Sequence, residues 1–562
     1  MKNSEVADVL DRLGELVEAS GDDRFKVIAY HRAATSVRNL EEDVEKAWRE
    51  GKLQEIKYVG EGISRKIDEY LRTGSLRLLK DLEARVPQGA PDLMKVQGVG
   101  PRTAYRLSHD LGIASVAALK EALDAGRLDT EFGPATVASL REGVERAQSF
   151  GRRMLLPEAE GRFEALRAYF RGLGISVVLA GSLRRGSGTV GDLDVLSTDP
   201  GALDALAGCP GVEEVLEKGE RMVRARLEGG VQVDLRRFSE EELGAAEAYF
   251  TGSKAHNIAL RTLASGKGWK LNEYGLFDGA GARLAGASEE EVYEKLGLAP
   301  VPPELREDRG EVEAASAGKL PRLVRADQVR GDLQMHSTWS DGGAELRVMA
   351  AAAKERGYEY MAVTDHSVSV RVANGLTEER FRRQWKEIDA LNDELKPFRI
   401  LKGVEAEIRA DGNLDFGREF LDQFDVVGAS LHQNFRQDAA KLTARALAAL
   451  EHPSVDFLCH PTNRLLGRRD PNPLDMEALI RAARDGGKLL EIDGAPQRLD
   501  MDEGWARRAV EEGVRVLIDS DAHSVGELDN VAYGVLVARR AWVEARSVMN
   551  TDGLGTLLRA FS

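Results

Sequence analysis

The stretch ISVVLAGSLRRGSGTVGDLDVL, residues 175–196, decides how the middle of the chain is read. Ile175–Ala180 is a β-branched run that predicts a strand, and Gly181-Ser182 with Arg184-Arg185-Gly186 forms the turn after it. Further strands are expected at Asp194–Leu196 and Val231–Leu235. Asp192 and Asp194 are two residues apart, so on a strand their side chains share one face. Asp234 stands at the end of Val231–Val233. Three such carboxylates suit two divalent cations about 3.5–4 Å apart, one activating a hydroxyl and one holding phosphate oxygens. Gly181 and Ser182 offer a backbone N–H and a hydroxyl to phosphate, and Arg185 adds a cationic donor. Gly-Ser or Asp-x-Asp alone is common in solvated loops. The ordered set is far more specific.

After residue 328 the pattern changes. Seven short apolar runs alternate with helical stretches: Gly331–His336, Tyr360–His366, Ile400–Ile408, Asp425–His432, Val455–His460, Leu489–Asp493 and Val514–His523. Such a βα repeat predicts a parallel, barrel-like sheet. His336, His366, Glu405, His432, His460, Asp521 and His523 collect at or just past the C-terminal ends of these runs, and they include five of the chain's nine histidines. That rim is where the loops of a βα barrel build a ligand site. Imidazoles with carboxylates suit Mn²⁺, Zn²⁺ or Fe²⁺, and several ions together would activate water and neutralise a phosphoester oxyanion. From residue 331 on, 30 Lys and Arg stand against 39 Asp and Glu, a balance that acidic metal-binding clusters help explain.

Residues 1–150 read as helices, with Leu10, Leu13, Leu16 and Val17 at helical spacing. Two turns, Val59-Gly60-Glu61-Gly62-Ile63 and Val96-Gln97-Gly98-Val99-Gly100, read as helix-hairpin-helix turns. Glycine there would allow positive φ and a close, sequence-independent approach to a phosphate. The 562 residues predict three or four folding units, and no run approaches the ~20 apolar residues of a membrane span. The first residues open into an acidic amphipathic helix rather than an apolar leader, so the cytoplasm is expected. Two distant cysteines, Cys209 and Cys459, exclude a disulfide scaffold. The net charge of -16 does not exclude nucleic acid, because binding needs only a local basic patch.

The set Gly181-Ser182, Arg184-Arg185-Gly186, Gly191-Asp192-Leu193-Asp194 and Asp234 marks the nucleotidyltransferase superfamily. With Tyr249-Phe250-Thr251-Gly252-Ser253 and His256-Asn257 it resembles the family X DNA polymerases. The resemblance implies that Tyr249, Phe250 and Gly252 lie under the incoming sugar and that Asn257 touches the base edge. It assigns Ser182, Arg185 and Gly191 to the triphosphate. In the first hairpin, Lys66 matches that family's Schiff-base lysine, and Lys26 and Tyr30 match its supporting positions. Gly62 replaces a lysine usual there, so phosphate grip is reduced. DLQMHSTWSDG at 332–342, Thr364-Asp365-His366, Gly403–Glu405, Cys459-His460-Pro461 and DSDAH at 519–523 resemble the PHP (polymerase and histidinol phosphatase) family. That family has a distorted (β/α)₇ barrel with up to three metals. The resemblance implies the ligands His336, Asp341, His366, Glu405, His432, His460, Asp521 and His523. Gln334 departs from the pattern, standing where a histidine belongs, and an amide oxygen holds transition metals weakly.

The expected architecture is multidomain. Residues 1–85 form a helical, lyase-like DNA-binding domain and 86–150 a second helix-hairpin-helix subdomain. Residues 151–240 form an α+β nucleotidyltransferase palm, 241–300 a thumb-like nucleotide-selecting subdomain, 301–327 a linker and 328–562 the PHP barrel. The resemblances imply a gap-filling repair polymerase with a 3′–5′ exonuclease or 3′-end processing centre, and with abasic-site or 5′-deoxyribose-phosphate cleavage within reach. Mg²⁺ or Mn²⁺ is expected at the polymerase centre, and two or three Mn²⁺ or Zn²⁺ at the barrel. Gapped or nicked DNA and dNTPs are the expected partners of a monomer associated with the nucleoid and not with a membrane. Two other readings stay open: a nucleotidyltransferase joined to a small-molecule phosphatase, and a DNA-end scaffold with a dead second centre.

Overall fold

The computed structural model describes residues 2–20, 24–38, 40, 43–86, 89–94, 96, 99–150 and 153–561. Leu10, Leu13, Leu16 and Val17 form the buried stripe of helix Asn3–Ala19, as their spacing predicts. One apolar cluster runs from Val6 to Val144, so the helices on both sides of residue 86 share a core.

The palm is a five-stranded sheet of β1 (Val178–Leu179), β2 (Asp192–Ser197), β3 (Val212–Lys218), β4 (Met222–Leu227) and β5 (Val231–Arg237), in the order β1-β2-β5-β4-β3. Phe163, Leu166 and Phe170 of helix Leu156–Gly172 cover its apolar face. The β-branched run 175–180 is strand only at Val178–Leu179, because this edge strand pairs only with Val195 and Leu196 of β2. The β3–β4 hairpin was not anticipated. Most of β3 is exposed, so it carries no alternating apolar signal.

Helices Leu243–Thr251 and Lys254–Gly266 lead into a small antiparallel sheet over residues 270–285, closed by helix Glu289–Leu296. Residues 301–327, expected as a linker, contain helix Glu311–Ser316 and add Val301, Leu305 and Ala315 to this thumb's core. Their prolines and charges conceal that packing. His256 is fully buried, with Nδ1 2.6 Å from Glu311 and Nε2 2.8 Å from the Tyr293 hydroxyl.

The seven parallel strands of the barrel run in chain order: β6 (Gly331–Asp332), β7 (Tyr360–Val363), β8 (Arg399–Glu407), β9 (Val426–Ser430), β10 (Phe457–Leu458), β11 (Leu489–Asp493) and β12 (Val516–Asp519). The strands end before His336, His366, His460 and His523, which therefore stand on the segments beyond, with His366 tied back to Glu405 by an isolated parallel bridge. A parallel bridge from Met335 to Ala522 draws the first and last strands together, and the His336 N–H donates to the Ala522 carbonyl at 2.8 Å. The barrel also packs on the palm. Leu536 lies against Gly186, Leu499 against Gly188, and Arg540 donates to the Arg185 carbonyl at 2.8 Å.

Within the barrel, a Cβ on Gly428 would stand 2.6 Å from the Cys459 sulfur and 2.8 Å from the Phe457 ring. Gly428→Ala is expected to destabilise the barrel by about 1–3 kcal/mol, read as a lower barrel transition in calorimetry. Gly417→Ala, whose Cβ meets nothing within 4 Å, should leave that transition in place.

Candidate functional site

Period-two alternation aims Asp192 and Asp194 of β2 the same way, and the parallel pairing of β2 with β5 sets Asp194 opposite Asp234. Asp192 and Asp194 line a cleft of about 620 Å³ with Gly181, Ser182, Arg185, Gly191, Tyr249, Phe250, Gly252 and Asn257. Asp234 lies deeper, 3% exposed. Arg236 ties the acids together, donating to Asp194 at 3.0 Å and to Asp234 at 2.8 Å. Arg224 grips both Asp234 oxygens at 2.9 and 3.0 Å, and Gln232 adds a third donor at 3.0 Å. Burial and the charge of Asp192 push Asp194 up to about 6, and burial with the charge of Asp234 raises Asp192. Burial would raise Asp234 as well, but Arg224 and Arg236 hold it below its ordinary value. Carboxylates that repel one another this strongly fit divalent cations.

Gly181 has φ +70, and a Cβ there would lie 2.4 Å from an Asp194 oxygen, so only glycine lets the turn close over the acid. Arg185 lines the cleft but is engaged, donating to Glu307 at 3.0 Å and to the Thr251 carbonyl at 2.6 Å. Its neighbour Arg184 is a strap, bidentate to Glu289 at 2.7 and 2.9 Å. Tyr249 and Phe250 meet edge to face at 5.1 Å, Arg236 stacks on Phe250 at 4.4 Å, and Asn257 donates to the Tyr249 carbonyl at 2.6 Å. Arg224 and Arg236 were missed in the sequence. Arg236 was legible as two residues beyond Asp234, whereas Arg224 needs the unread β3–β4 hairpin.

At the barrel mouth the buried Glu405 is the hub. Its oxygens lie 2.8 Å from His366 Nδ1, 2.9 Å from His460 Nε2, 3.2 Å from His432 Nε2 and 3.6 Å from His336 Nε2. Asp341 is 3.6 Å from His366 and 3.7 Å from His523, and Asp521 is 3.2 Å from His336. Ligand-capable atoms gather in two groups: His336, Asp341, His366 and His523, and then His366, Glu405 and His432. Both ring nitrogens of His336 and one oxygen of Glu405 are buried without a hydrogen bond, as atoms waiting for an ion are. Burial disfavours a charged His432, but Glu405 and Glu407 outweigh it and raise its pKa to about 10. Against the same burial, Asp341 and Asp521 raise His523 to about 9. Bound cations would displace those protons. Glu407 also accepts from His432 N and Nδ1 at 2.9 and 3.0 Å, fixing the ring.

Gln334 is fully buried, and its oxygen takes only a 3.7 Å contact from the Cys459 thiol. Arg498 stands 3.5 Å from Asp493 and 3.6 Å from Asp521, a cation among acids at the barrel mouth. Asp365 accepts from the Ser337 backbone at 2.9 Å and from the Ser337 hydroxyl at 2.6 Å, shaping the loop that carries Asp341. Asp365 stood in a quoted motif without a role, and Glu407 was legible as two residues past Glu405.

In the N-terminal unit, the Lys66 amine lies 5.6 Å over the Tyr30 ring and donates to the Gly62 carbonyl at 3.0 Å. Burial, opposed by Glu69, lowers its pKa, and the nearby cations Arg65 and Lys26 add to that. The turns do not use glycine for a left-handed backbone as expected. Gly60 has φ −71, and none of Gly60, Gly62 and Gly100 has positive φ. Cβ atoms there would meet nothing within 4 Å, so these glycines leave the turn face bare. The left-handed residue is Tyr58, at φ 62. Gly98 lies outside the described residues.

Family models match three parts of the chain: a helix-hairpin-helix domain over residues 1–76, a DNA polymerase beta thumb over 246–307 and a PHP domain over 332–550. The DNA polymerase/3′-5′ exonuclease PolX of Bacillus subtilis (strain 168) is 37% identical over 569 residues, covering 99% of this chain and 98% of that protein. A probable phosphatase of Thermoanaerobacter sp. (strain X514) is 29% identical over 213 residues, 36% of this chain and 82% of its own length. One of Acetivibrio thermocellus is 32% identical over 197 residues, 33% of this chain and 77% of its own length.

A proton on Asp194 competes with any cation at the cleft, and the acid's pKa of about 6 sets the range. The divalent-ion concentration for half-maximal primer extension should rise as pH falls below about 6 and level off above about 7. Ion titrations of extension across that range test the sign.

Proposed function

The chain belongs to the family X DNA polymerases that carry a PHP domain, and from that membership we propose how its two centres divide the work. It is a DNA polymerase that adds dNTPs to a primer 3′-hydroxyl, with a PHP 3′–5′ exonuclease in the same chain. It binds DNA, uses dNTPs and depends on divalent metal ions. The finer reading is gap filling in repair, with Mg²⁺ or Mn²⁺ at the cleft and Mn²⁺ or Zn²⁺ at the barrel.

The observation that carries the polymerase assignment is the register that sets Asp194 opposite Asp234 beside the Gly181 turn. Asp192, Asp194 and Asp234 would hold the ions, and Arg236 would let go of Asp194 as they arrive. Ser182, Arg185 and Gly191 would take the triphosphate, with Arg185 exchanging Glu307 for a phosphate oxygen. Tyr249, Phe250 and Gly252 would floor the sugar, while Asn257 would leave the Tyr249 carbonyl for the base. When bound, divalent ions supply charge neutralisation and an activated oxygen nucleophile at both centres. At the barrel His336, Asp341, His366, Glu405, His432, His460, Asp521 and His523 would hold them, with Glu407 orienting His432. The bare turns at Gly60, Gly62 and Gly100 support a phosphate grip on gapped DNA. The lowered Lys66 amine beside Tyr30 and Lys26 supports a lyase step on 5′-deoxyribose phosphate. Among the described residues, no helix is long and apolar enough to cross a membrane.

Asp192→Ala should cut primer extension on the order of 10³-fold or more while sparing removal of 3′-terminal nucleotides. His336→Ala should do the reverse. Labelled-primer assays with and without dNTPs separate the two, and joint loss in either variant would contradict independent centres.

A further inference from the structure

The loop over residues 337–342, which carries Asp341, turns its carbonyls outward at the barrel rim. A neighbour from another part of the chain takes them. The Lys57 ammonium donates to the Thr338 carbonyl at 2.9 Å and to the Gly342 carbonyl at 2.8 Å. The Tyr58 hydroxyl donates to the Ser340 carbonyl at 2.9 Å. Arg380 of the barrel takes the Trp339 carbonyl. Three of these four carbonyls are therefore held by the N-terminal unit. Tyr58 reaches them from a left-handed backbone, a costly conformation for a non-glycine residue, and Lys57 and Arg32 lie 4.8 and 5.1 Å from its ring.

The same unit approaches the second loop of this metal group. Leu40, Asp43 and Ala47 share a crevice with Gly343–Glu345 and with Ser524–Gly526, the residues following His523. Asp341 and His523 belong to one of the two ligand groups, together with His336 and His366. Asp365 fixes the 337–342 loop from inside the barrel, and Lys57 with Tyr58 fixes it from outside.

We propose that Lys57 and Tyr58 are positioning residues for the PHP centre: by docking on the backbone of 338–342, the DNA-binding unit sets the place of Asp341 and so the strength of one metal site. The inference rests on reading the barrel mouth as a metal-dependent exonuclease. It adds that this centre is completed by a different domain. Lys57-Tyr58 runs directly into the Gly60–Gly62 turn, so a displacement of that turn acts on the Asp341 loop through two residues of chain.

The test uses the full chain carrying Lys57→Met and Tyr58→Phe together, with Lys57→Arg as the conservative variant. The substrate is a labelled single-stranded oligonucleotide in Mn²⁺ without dNTPs. The double variant should lower exonuclease kcat about tenfold with KM little changed, as loss of an outer-shell partner does. Primer extension on a template without a downstream strand should stay at the wild-type level, which also reports that the chain is folded. Lys57→Arg should recover most of the rate. Independently of activity, Mn²⁺ binding followed by electron paramagnetic resonance in an Asp192→Ala, Asp194→Ala background should show one class of site weakened about tenfold. Unchanged kcat and unchanged Mn²⁺ binding would overturn the proposal and leave the exonuclease reading standing. A wild-type chain that binds Mn²⁺ at the barrel but releases no nucleotides would overturn the exonuclease reading, with the Mn²⁺ comparison still deciding the positioning role.

Discussion

Acids that repel one another must be gathered before any cation arrives, and both centres of this chain are shaped by that requirement. In the palm, the β2–β5 register forces Asp194 against Asp234, and Arg236 spans the pair while Arg224 clamps the deeper acid. In the barrel, Glu405 is enclosed by imidazoles, and its charge raises the pKa of His366 and His432 against the pull of burial. Behind it lie more acids. Burial pushes Asp332 up to about 7 and raises Asp519, Glu491 and Asp493 well above their ordinary values. Arg498 supplies a built-in cation to that cluster. Both sites thus hold their geometry through side chains that divalent ions replace or join.

Backbone strain serves the same end. His460 and Asp521, both in the ligand set, have φ of 27 and 49, outside the region favoured by non-glycine residues. Such conformations persist only where the surroundings enforce them: Asp521 adjoins the Met335–Ala522 bridge that closes the barrel, and the His460 N–H donates to the buried Glu491. In the palm the equivalent demand falls on Gly181, which alone lets the turn pass so near Asp194. One site uses glycine and the other uses strain, because the barrel positions must also carry ligands.

The units are not beads on a string. The loop that follows Gly181-Ser182 lies on the barrel, with Gly186 against Leu536 and Gly188 against Leu499, and neither position has room for a Cβ. Arg540 of the barrel shares Glu307 with Arg185, at 3.1 and 3.0 Å. The barrel's own Asp341 loop lies beneath the N-terminal unit. Each centre therefore has part of its support in a neighbouring domain.

Much of this was legible in the chain. Alternation puts Asp192 with Asp194 and Glu405 with Glu407, because a strand's side chains repeat every two residues whatever surrounds them. Seven apolar runs ending in histidines and acids gave seven parallel strands with a polar mouth, since each run buries itself in the barrel. The exposed strand β3 left no pattern, and its partner β4, which alternates buried Val223 and Ala225 with Arg224 and Arg226, went unread with it. The packing of 301–327 was hidden under prolines and charges. What the linear sequence determined was local: which residue types share a face and where each strand must stop. Tertiary structure alone decided that Arg224 reaches Asp234, that Arg498 stands by Asp521 and that Lys57 holds the Asp341 loop. Those contacts join residues up to 285 positions apart, and only strand register, barrel closure and domain packing bring them within a hydrogen bond or an ion pair.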